Sequence, residues 1–526
     1  MSQINVALAS PKIHSKWLVL AVLSASLFMI NLDVTIVNIA LPDIMNKLSA
    51  SLADAEWVLN AYVMVFAVLL ITMGRLGDMF GRRKLFTDGL ILFTGASLLC
   101  GLAPSIQWLV AARALQAMGG VAMMPATLSI LNVTFHGGKR GLAMGIWGAS
   151  AGAAAALGPL IGGVLVNSFG WQWVFLINLP IGLAAIGAAF KIINESNDPD
   201  AGKKIDVPGI IAASAGLGSL VYALVEGQSF GWTSPEIIGL FALSAVSLII
   251  FIVVEAKSAA SLIELSLFRN VSFTAGNILG ILMMFCLVGI IFLVVMYLQL
   301  VRQFSPMHAG LLVLPMPLAL MIVSPFAGRL ADRLPMRWLM SGGMIIVAAA
   351  LFFLRQLGLD TTWWMIVLPM AGAGFGLGLV MAPLGTVVMS SAPVAMSGAA
   401  SGVLTTMRQV GATLGISVLG AILQFRLVDN LREFFTIIPF MPQSAKDAML
   451  AAVSKGGMGG VAIADTPDFL HDLIAQVMRE QFVGALSDAL TVAMFVAAAG
   501  GLAALFISYH PKNKTASNHL TARLDN

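Results

Sequence analysis

Long uninterrupted runs of apolar residues, separated by short polar gaps, dominate the hydrophobic pattern of this chain. A helix needs about 20 apolar residues to cross the ~30 Å of hydrocarbon in a bilayer, whereas a transmembrane strand needs about 10 alternating ones. The runs here are continuous and have the helical length, so they predict transmembrane helices. We place fourteen spans, at residues 17–41, 56–75, 85–103, 107–134, 141–167, 172–192, 207–225, 236–254, 272–300, 308–331, 338–356, 363–391, 398–424 and 483–508.

The composition supports a membrane protein. Of the 526 residues, 59% are hydrophobic and only 10% are charged, against about 25% charged in an ordinary soluble domain. The predicted fold class is therefore an all-α integral membrane protein, with the lipid bilayer as its first partner. The net charge of +4 does not indicate nucleic-acid binding, because the lysines and arginines are spread over short loops and form no single basic stripe.

The same lysines and arginines predict the orientation of the chain. The first apolar run is too long for a secretory signal and lacks a small-residue cleavage site, so we interpret it as a retained span. Alternating spans then collect most basic residues on one side, the cytoplasmic side by the positive-inside rule. We therefore expect a multi-pass protein of the inner (cytoplasmic) membrane with both termini cytoplasmic. The predicted cytoplasmic loops hold Arg82, Arg83, Lys84, Lys139, Arg140, Lys203, Lys204, Lys257, Arg269, Arg333 and Arg337, and the short outer loops hold Lys47 and Arg302.

One segment departs from the row of spans. Residues 426–482 are rich in charge and contain two helix-like stretches, one opened by Ser444 and one by Thr466 with Pro467 at the first helical position. We predict an outer loop with a local fold that connects the last two spans. A lid over the substrate is the alternative, and the role of the loop stays open.

An internal repeat divides the chain. The segment GRLGDMFGRR at Gly74–Arg83 returns in weaker form as GRLADRLPMR at Gly328–Arg337, each after the second span of a half. Transporters are commonly built from such repeats, with the substrate site near the midplane between them. Six spans of about 20 residues with short loops would separate the copies by roughly 200 residues, and the larger separation here leaves room for two more spans. We predict a six-helix bundle at 1–192, a linker with two additional transmembrane helices at 193–270 and a second six-helix bundle at 271–526.

Five short motifs carry a resemblance to a known family. They are LDVTIVNIALP at Leu32–Pro42, the loop Gly74–Lys84, RALQAMGG at Arg113–Gly120, GPLIGG at Gly158–Gly163 and WQWVFLINLPIG at Trp171–Gly182. In this order the motifs resemble the major facilitator superfamily, and within it the EmrB/QacA-type fourteen-span drug:proton antiporters.

The resemblance implies a major facilitator fold and proton-coupled efflux of drug-like or other amphipathic small molecules by alternating access. The expected partners are protons, a small amphipathic substrate and, as a candidate, a periplasmic adaptor. An exporter of a specific endogenous metabolite, peptide or lipid is the alternative, followed by a membrane sensor that does not transport. We expect no enzyme, no cofactor and no metal site, because the six histidines are scattered and the chain has no HExxH or phosphate-loop motif.

Asp33 and Arg113 are the predicted proton-coupling residues. An ionisable group inside a membrane is costly and usually marks function, and both residues are expected at similar depth. A carboxylate that meets an arginine in one state and an apolar wall in another would bind and release a proton as the states exchange. A static ion pair that fixes helix packing is the alternative.

The predicted substrate cavity contains Asn38, Tyr62, Gln116, Met284 and Arg408. Methionine side chains repack easily around different molecules, which suits a broad substrate range. The deep charge of Arg408 has carbonyls, a neighbouring glutamine or a substrate anion as its expected partners.

A conformational latch is predicted at Gly74, Asp78, Gly81, Arg82 and Asp332. Asp78 can accept hydrogen bonds from Arg82 or from the N-terminus of a neighbouring helix, so we expect it to hold the outward-open state. A topology signal from the basic residues alone is the alternative.

The resemblance also marks Gly158, Pro159, Gly162 and Gly163 as an antiporter motif associated with the direction of export. From the residues themselves, the glycine spacing predicts close helix packing, and the proline predicts a bend.

Overall fold

The computed structural model describes residues 13–135, 139–196, 206–258, 262–331, 334–437, 446, 450 and 468–508. Over these ranges the chain forms helices joined by turns, with no strand. Fourteen of the described helices are long and apolar enough to cross a membrane, so the predicted all-helical fold of about fourteen spans is confirmed. They are α1 Ile13–Leu48, α2 Leu52–Phe80, α3 Arg82–Gly101, α4 Ile106–Thr134, α5 Arg140–Phe169, α6 Trp173–Ile192, α7 Val207–Phe230, α8 Pro235–Lys257, α9 Val271–Met296, α10 Met307–Ala331, α11 Met336–Leu354, α12 Trp364–Ser391, α13 Ser397–Ile437 and α14 Asp468–Leu505.

Polar caps and glycines set the helix ends. Ser51 begins α2 in a reciprocal cap with the side chain of Asp54, and Ser234 begins α8 by accepting from the backbone N–H of Ile237 at 3.3 Å. These side chains satisfy N–H groups that lipid cannot. Gly81, with φ +108°, makes the tight turn between α2 and α3, a backbone conformation that glycine adopts at little cost.

The lipid-facing surface is apolar. Large hydrophobic side chains such as Ile249, Ile345 and Phe495 are exposed on the outside of the bundle. In water such a surface would be an aggregation liability. In a bilayer it is the expected outer wall of a membrane protein.

Helices α1–α6, called here the N-terminal half, pack against α9–α14, called the C-terminal half. Contacts between the halves are richest between α5 and α10 and between α2 and α13. The pair α7–α8 packs together and rests on α2 and α13. The division at 1–192, 193–270 and 271–526 stays a prediction.

The bundle has two ends. We call the end where α1 begins the N-face, and the opposite end the far face. Every odd-numbered helix begins at the N-face, so the turn at Gly81 and the start of α13 at Ser397 lie there.

The predicted outer loop at 426–482 is helical at both of its ends. Helix α13 continues to Ile437, and the helix that becomes the last span already begins at Asp468. The side-chain amide of Asn430 in the first extension donates to the Gln481 carbonyl in the second at 3.3 Å, and Arg426 forms an ion pair of 3.2 Å with Asp488 of α14. The charged residues of these helical extensions therefore led to the prediction of a loop. Ser444, Thr466 and Pro467 lie outside the described residues.

Candidate functional site

Asp33 lies fully buried in the middle of α1. It forms an ion pair with Arg113 of α4 through its Oδ2 atom. Its Oδ1 atom accepts from the side-chain amide of Gln116 at 2.8 Å and from that of Asn178 at 3.1 Å. Both carboxylate oxygens are therefore held by donors from two other helices, α4 and α6. Because α1 continues to Leu48, Asp33 lies about 22 Å from that helix end at 1.5 Å per residue.

Arg113 is held on all sides. Its Nε atom donates to the Val58 carbonyl at 3.2 Å, and its Nη1 atom also donates to Gln116 Oε1 at 2.6 Å. The ring of Tyr62 lies 4.2 Å from the guanidinium carbon and that of Phe175 lies 5.7 Å from it. Charge-assisted hydrogen bonds and cation–π contacts together offset the cost of burying the cation.

Sequence reasoning missed two members of this network, Ser97 and Asn178. Ser97 Oγ accepts from the Gln116 amide at 2.8 Å and from the Asn178 amide at 3.4 Å. Both residues are buried. Asn178 could have been suspected from the sequence, because an amide within an apolar span needs a polar partner. The sequence does not identify that partner.

A central cavity lies between the halves. It occupies about 810 Å³ including its open mouth, and its wall is formed by α1, α4 and α5 from one half and by α9, α10, α12 and α13 from the other. Met124, Met284, Met316 and Met381 contribute to it together with Trp147. The wall is mostly apolar and flexible in shape, as expected of a pocket for amphipathic ligands.

Arg408 is the one charged side chain among the described residues of this wall, and Asn31, Thr405 and Gln409 are its polar neighbours there. Only 4% of the Arg408 side chain is exposed. Its Nε and Nη2 atoms have no hydrogen-bond partner within the described part of the chain.

Three residues expected in the cavity wall lie elsewhere. Tyr62 and Gln116 face Arg113. The Tyr62 ring lies against its guanidinium group, and the Gln116 side chain accepts a hydrogen bond from it. Asn38 is exposed, and its amide donates to the Val34 carbonyl of its own helix at 2.9 Å. Of the five, Met284 and Arg408 lie in the wall.

The motif at the turn between α2 and α3 joins the two halves at the N-face. The carboxylate of Asp78 accepts from the backbone N–H groups of Gly398 at 2.9 Å and Ala399 at 2.7 Å, at the start of α13. The N-terminus of a helix favours an anion through its free N–H groups and its dipole. Arg82 donates to the same carboxylate, with its Nε 3.0 Å and its Nη2 2.7 Å from Oδ1.

Arg82 also crosses between the halves. Its Nη2 atom donates to the carbonyls of Val394 at 3.0 Å and Ala395 at 2.7 Å. The hydroxyl groups of Ser129 and Ser397 add a further bond of 2.8 Å between α4 and α13. These contacts lie between the cavity and the N-face.

Gly74 of the predicted latch permits this approach of the two halves, and Gly81 permits a close contact with the segment that follows α6. A Cβ atom on Gly74 would lie 2.6 Å from the Gly398 carbonyl oxygen and 2.9 Å from Gly402 Cα. A Cβ atom on Gly81 would lie 2.6 Å from the carboxyl carbon of Glu195. Asp332, the remaining predicted member, lies outside the described residues.

The glycines of α5 serve two different contacts. Near the N-face, Gly145 lets the backbone approach Ser324 of α10, where a Cβ atom would lie 2.5 Å from a carbonyl oxygen. Toward the far face, Gly158 and Gly162 pack on Thr35 and Ile36 of α1.

The other two members of the predicted antiporter motif are Gly163 and Pro159. Gly163 faces open space, since a Cβ atom on it would have no neighbouring atom of the described residues within 4 Å. Pro159 lies inside the continuous helix α5.

Comparison with known proteins gives a consistent result. A family model described as Major Facilitator Superfamily matches residues 23–416. The chain is 35% identical to the tetracenomycin C resistance and export protein of Streptomyces glaucescens, over 93% of this chain and 91% of that protein. It is 31% identical to the multidrug resistance protein Stp of Mycobacterium tuberculosis, over 97% of this chain and 95% of that protein. Among solved structures, the human organic anion transporter MFSD10 (TETRAN) superposes with a TM-score of 0.60 at 13% identity, covering 92% of this chain and 99% of that one.

Proposed function

Since this chain belongs to the major facilitator superfamily, we propose that it exports drug-like or other amphipathic small molecules in exchange for protons, by alternating access across the cytoplasmic membrane. Its relatives are named for antibiotic resistance, multidrug resistance and export, which supports small-molecule efflux. The observation that carries proton coupling is the fully buried pair of Asp33 and Arg113 in the middle of the membrane-spanning bundle.

The proton gradient supplies enough free energy for such an exchange. One charge that crosses a potential of ~100 mV releases about 2.3 kcal/mol. At about 1.4 kcal/mol for each factor of ten, one proton supports roughly a fiftyfold concentration gradient of substrate.

Coupling in this arrangement runs through helix α1. Asp33 does not line the cavity, whereas Leu27 and Asn31 of the same helix do. Protonation of Asp33 would leave Arg113 as a buried cation without a carboxylate, and an unpaired buried charge is strongly unfavourable. Relief of that cost requires α1 and α4 to move relative to each other, and that movement changes the cavity wall.

The latch sets the direction in which the cavity opens. With the N-face on the cytoplasmic side, the bonds of Asp78 and Arg82 to α13 close the cytoplasmic path. We infer that this arrangement is closed to the cytoplasm. Release of these bonds is the step that admits substrate from the cytoplasm.

Purified protein in liposomes tests the proposal. An imposed pH gradient should drive uptake of a fluorescent amphiphile, with ethidium and 1-pyrenesulfonate as a cationic and an anionic probe. Asp33→Asn should abolish gradient-driven uptake and retain exchange of probe across the membrane without a gradient. Glu264→Gln, at an exposed carboxylate in the N-face connector between α8 and α9, is the matched control and should transport like the natural chain.

The static-pair alternative makes a different prediction. If Asp33 only fixes helix packing, Asp33→Asn will lower the melting temperature but leave the coupling ratio of protons to substrate unchanged in the protein that remains folded. Equal gradient-driven uptake by Asp33→Asn and Glu264→Gln would end the coupling role of Asp33.

A further inference from the structure

We propose that the central cavity selects amphipathic anions, and that the guanidinium group of Arg408 is the receptor for the acidic group of the substrate. The inference rests on the proposed export function for its setting and adds the class of substrate. The acidic group can be a sulfonate, carboxylate or phenolate, since each presents oxygens that accept from a guanidinium.

Three arginines of the described residues are deeply buried, and they differ in whether they form an ion pair. Arg82 is paired with Asp78 and Arg113 is paired with Asp33, each within its own half. Arg408 is almost as deeply buried, with 4% of it exposed, yet it forms no ion pair with any described residue. A protein that pairs two buried arginines and leaves the third unpaired in a cavity wall has a place for an external anion.

The geometry directs the unpaired head into the cavity. Arg408 lies on α13 about 16 Å from the start of that helix at Ser397, counted at 1.5 Å per residue, which is near the middle of the bilayer. Its stem passes α9, where a Cβ atom on Gly280 would lie 3.7 Å from Arg408 Cγ. The Nε and Nη2 donors are buried and have no hydrogen-bond partner among the described residues. These two atoms form one edge of the planar fork, and a bidentate acceptor that reached this edge from the cavity would satisfy both.

The remaining wall fits the other end of such a ligand. Met124, Met284, Met316 and Met381 surround the cavity with apolar, adaptable surface. Within the described residues, the wall has no carboxylate to attract a cation. A cationic substrate would meet the charge of Arg408 without compensation, and like-charge contact of this kind is a device of selectivity.

A matched series of probes tests the inference by binding alone. 1-Pyrenesulfonate, 1-pyrenemethanol and 1-pyrenemethylammonium share one flat apolar body and differ in charge. Binding of each to the purified protein in detergent is measured by equilibrium dialysis at low salt. The natural chain should bind the sulfonate at least tenfold more tightly than the ammonium probe.

Two substitutions at Arg408 separate charge from folding. Arg408→Met keeps the length and suits the methionine-rich wall, and it should weaken sulfonate binding about thirtyfold or more, as expected when one partner of a buried charge pair is removed. The same variant should change binding of the neutral probe less than threefold. Arg408→Lys keeps the charge and should retain part of the preference. Arg432→Gln, at a 65% exposed position of the same helix, should match the natural chain.

The outcomes distinguish the inference about anions from the proposed export function. Equal or tighter binding of the ammonium probe by the natural chain would overturn the inference, as would an unchanged sulfonate preference in Arg408→Met, which would indicate that water alone solvates Arg408. If sulfonate binding depends on Arg408 but no pH gradient drives its transport, the inference stands and the proposed function fails. If the gradient drives transport of the ammonium probe equally in the natural chain and Arg408→Met, the function stands and the inference fails.

Discussion

Replacement of Asp78 by asparagine should shift the protein away from the state in which the N-face is closed. Asp78 accepts four hydrogen bonds, two from Arg82 in its own half and two from the backbone N–H groups of Gly398 and Ala399 in the other half. Only the second pair has to break when the halves separate at this face. That pair is therefore the contribution of Asp78 to the balance between states, to which the bonds of Arg82 to Val394 and Ala395 add.

The size of the shift follows from the character of these bonds. A hydrogen bond to a charged group contributes about 1.5–3 kcal/mol net. Asparagine keeps one accepting oxygen but loses the charge, and its amide N–H₂ would face a backbone N–H of α13. We therefore expect a loss of about 3 kcal/mol, which is on the order of a 150-fold change in the ratio of closed to open states.

Spin labels on the two halves provide the assay. Lys139 at the start of α5 and Arg269 before α9 are both exposed at the N-face and lie outside the latch. Cysteines at these positions can be labelled selectively, because Cys100 and Cys286 are fully buried. Double electron–electron resonance should show a short distance in the natural background and a longer one in Asp78→Asn. The control is Glu264→Gln, which changes the net charge equally at an exposed position of the same face.

A shift below threefold in Asp78→Asn would refute the reasoning, because a bond pair worth less than the thermal energy cannot act as a latch. A shift of similar size in Glu264→Gln would refute it differently, by showing that net charge at the face, and not the bond geometry, sets the balance.

Two further substitutions test the glycine contacts. Gly158→Ala should reduce probe transport at least tenfold in liposomes, because the new methyl group overlaps Thr35 of α1 and overpacking typically costs about 1–3 kcal/mol. Gly163→Ala is the control. Its position faces open space among the described residues, so transport should be unchanged. Gly81→Ala should lower the melting temperature measured by calorimetry. The backbone angle φ of +108° and the nearby Glu195 carboxylate leave no room for a side chain, and a strained backbone residue costs about 1–3 kcal/mol. An unchanged melting temperature would show that the turn relaxes.

The fold was largely predictable from the sequence because lipid removes most alternatives. A span must be helical and about 20 residues long, so continuous apolar runs locate all fourteen helices. The prediction failed where helices leave the bilayer. Residues 426–437 carry the charges expected of a loop, but Leu427, Leu431 and Phe435 recur every four residues and are buried, so the segment packs as an amphipathic continuation of α13.

The site was predictable by residue type and less so by partner. Depth in the membrane and cost of burial singled out Asp33, Arg113 and Arg408 as charges that need an explanation. Which polar groups complete each environment depends on the rotation of each helix, and one sequence does not fix that rotation. Tyr62 and Gln116 were therefore assigned to the cavity, although they face Arg113.

An anionic substrate constrains how protons and substrate exclude each other. A proton on Asp33 adds positive charge near the cavity, so direct electrostatics would make an anion bind more tightly, which is the wrong sign for exchange. Exclusion must then come from a change of state. Ser129 and Ser397 allow a test, since their hydroxyl oxygens lie 2.8 Å apart across the halves and cysteines at both positions should form a disulfide that holds the N-face closed.

In the oxidised double-cysteine protein, lower pH should tighten or leave unchanged the binding of 1-pyrenesulfonate, because only the direct effect of charge remains. After reduction, the halves can separate, and lower pH should weaken binding as the protonated protein moves to its other state. The two forms differ only in the crosslink, so opposite pH dependences would assign the coupling to the change of state. If both forms lose sulfonate binding equally at low pH, protons and substrate compete locally and the route through α1 is wrong.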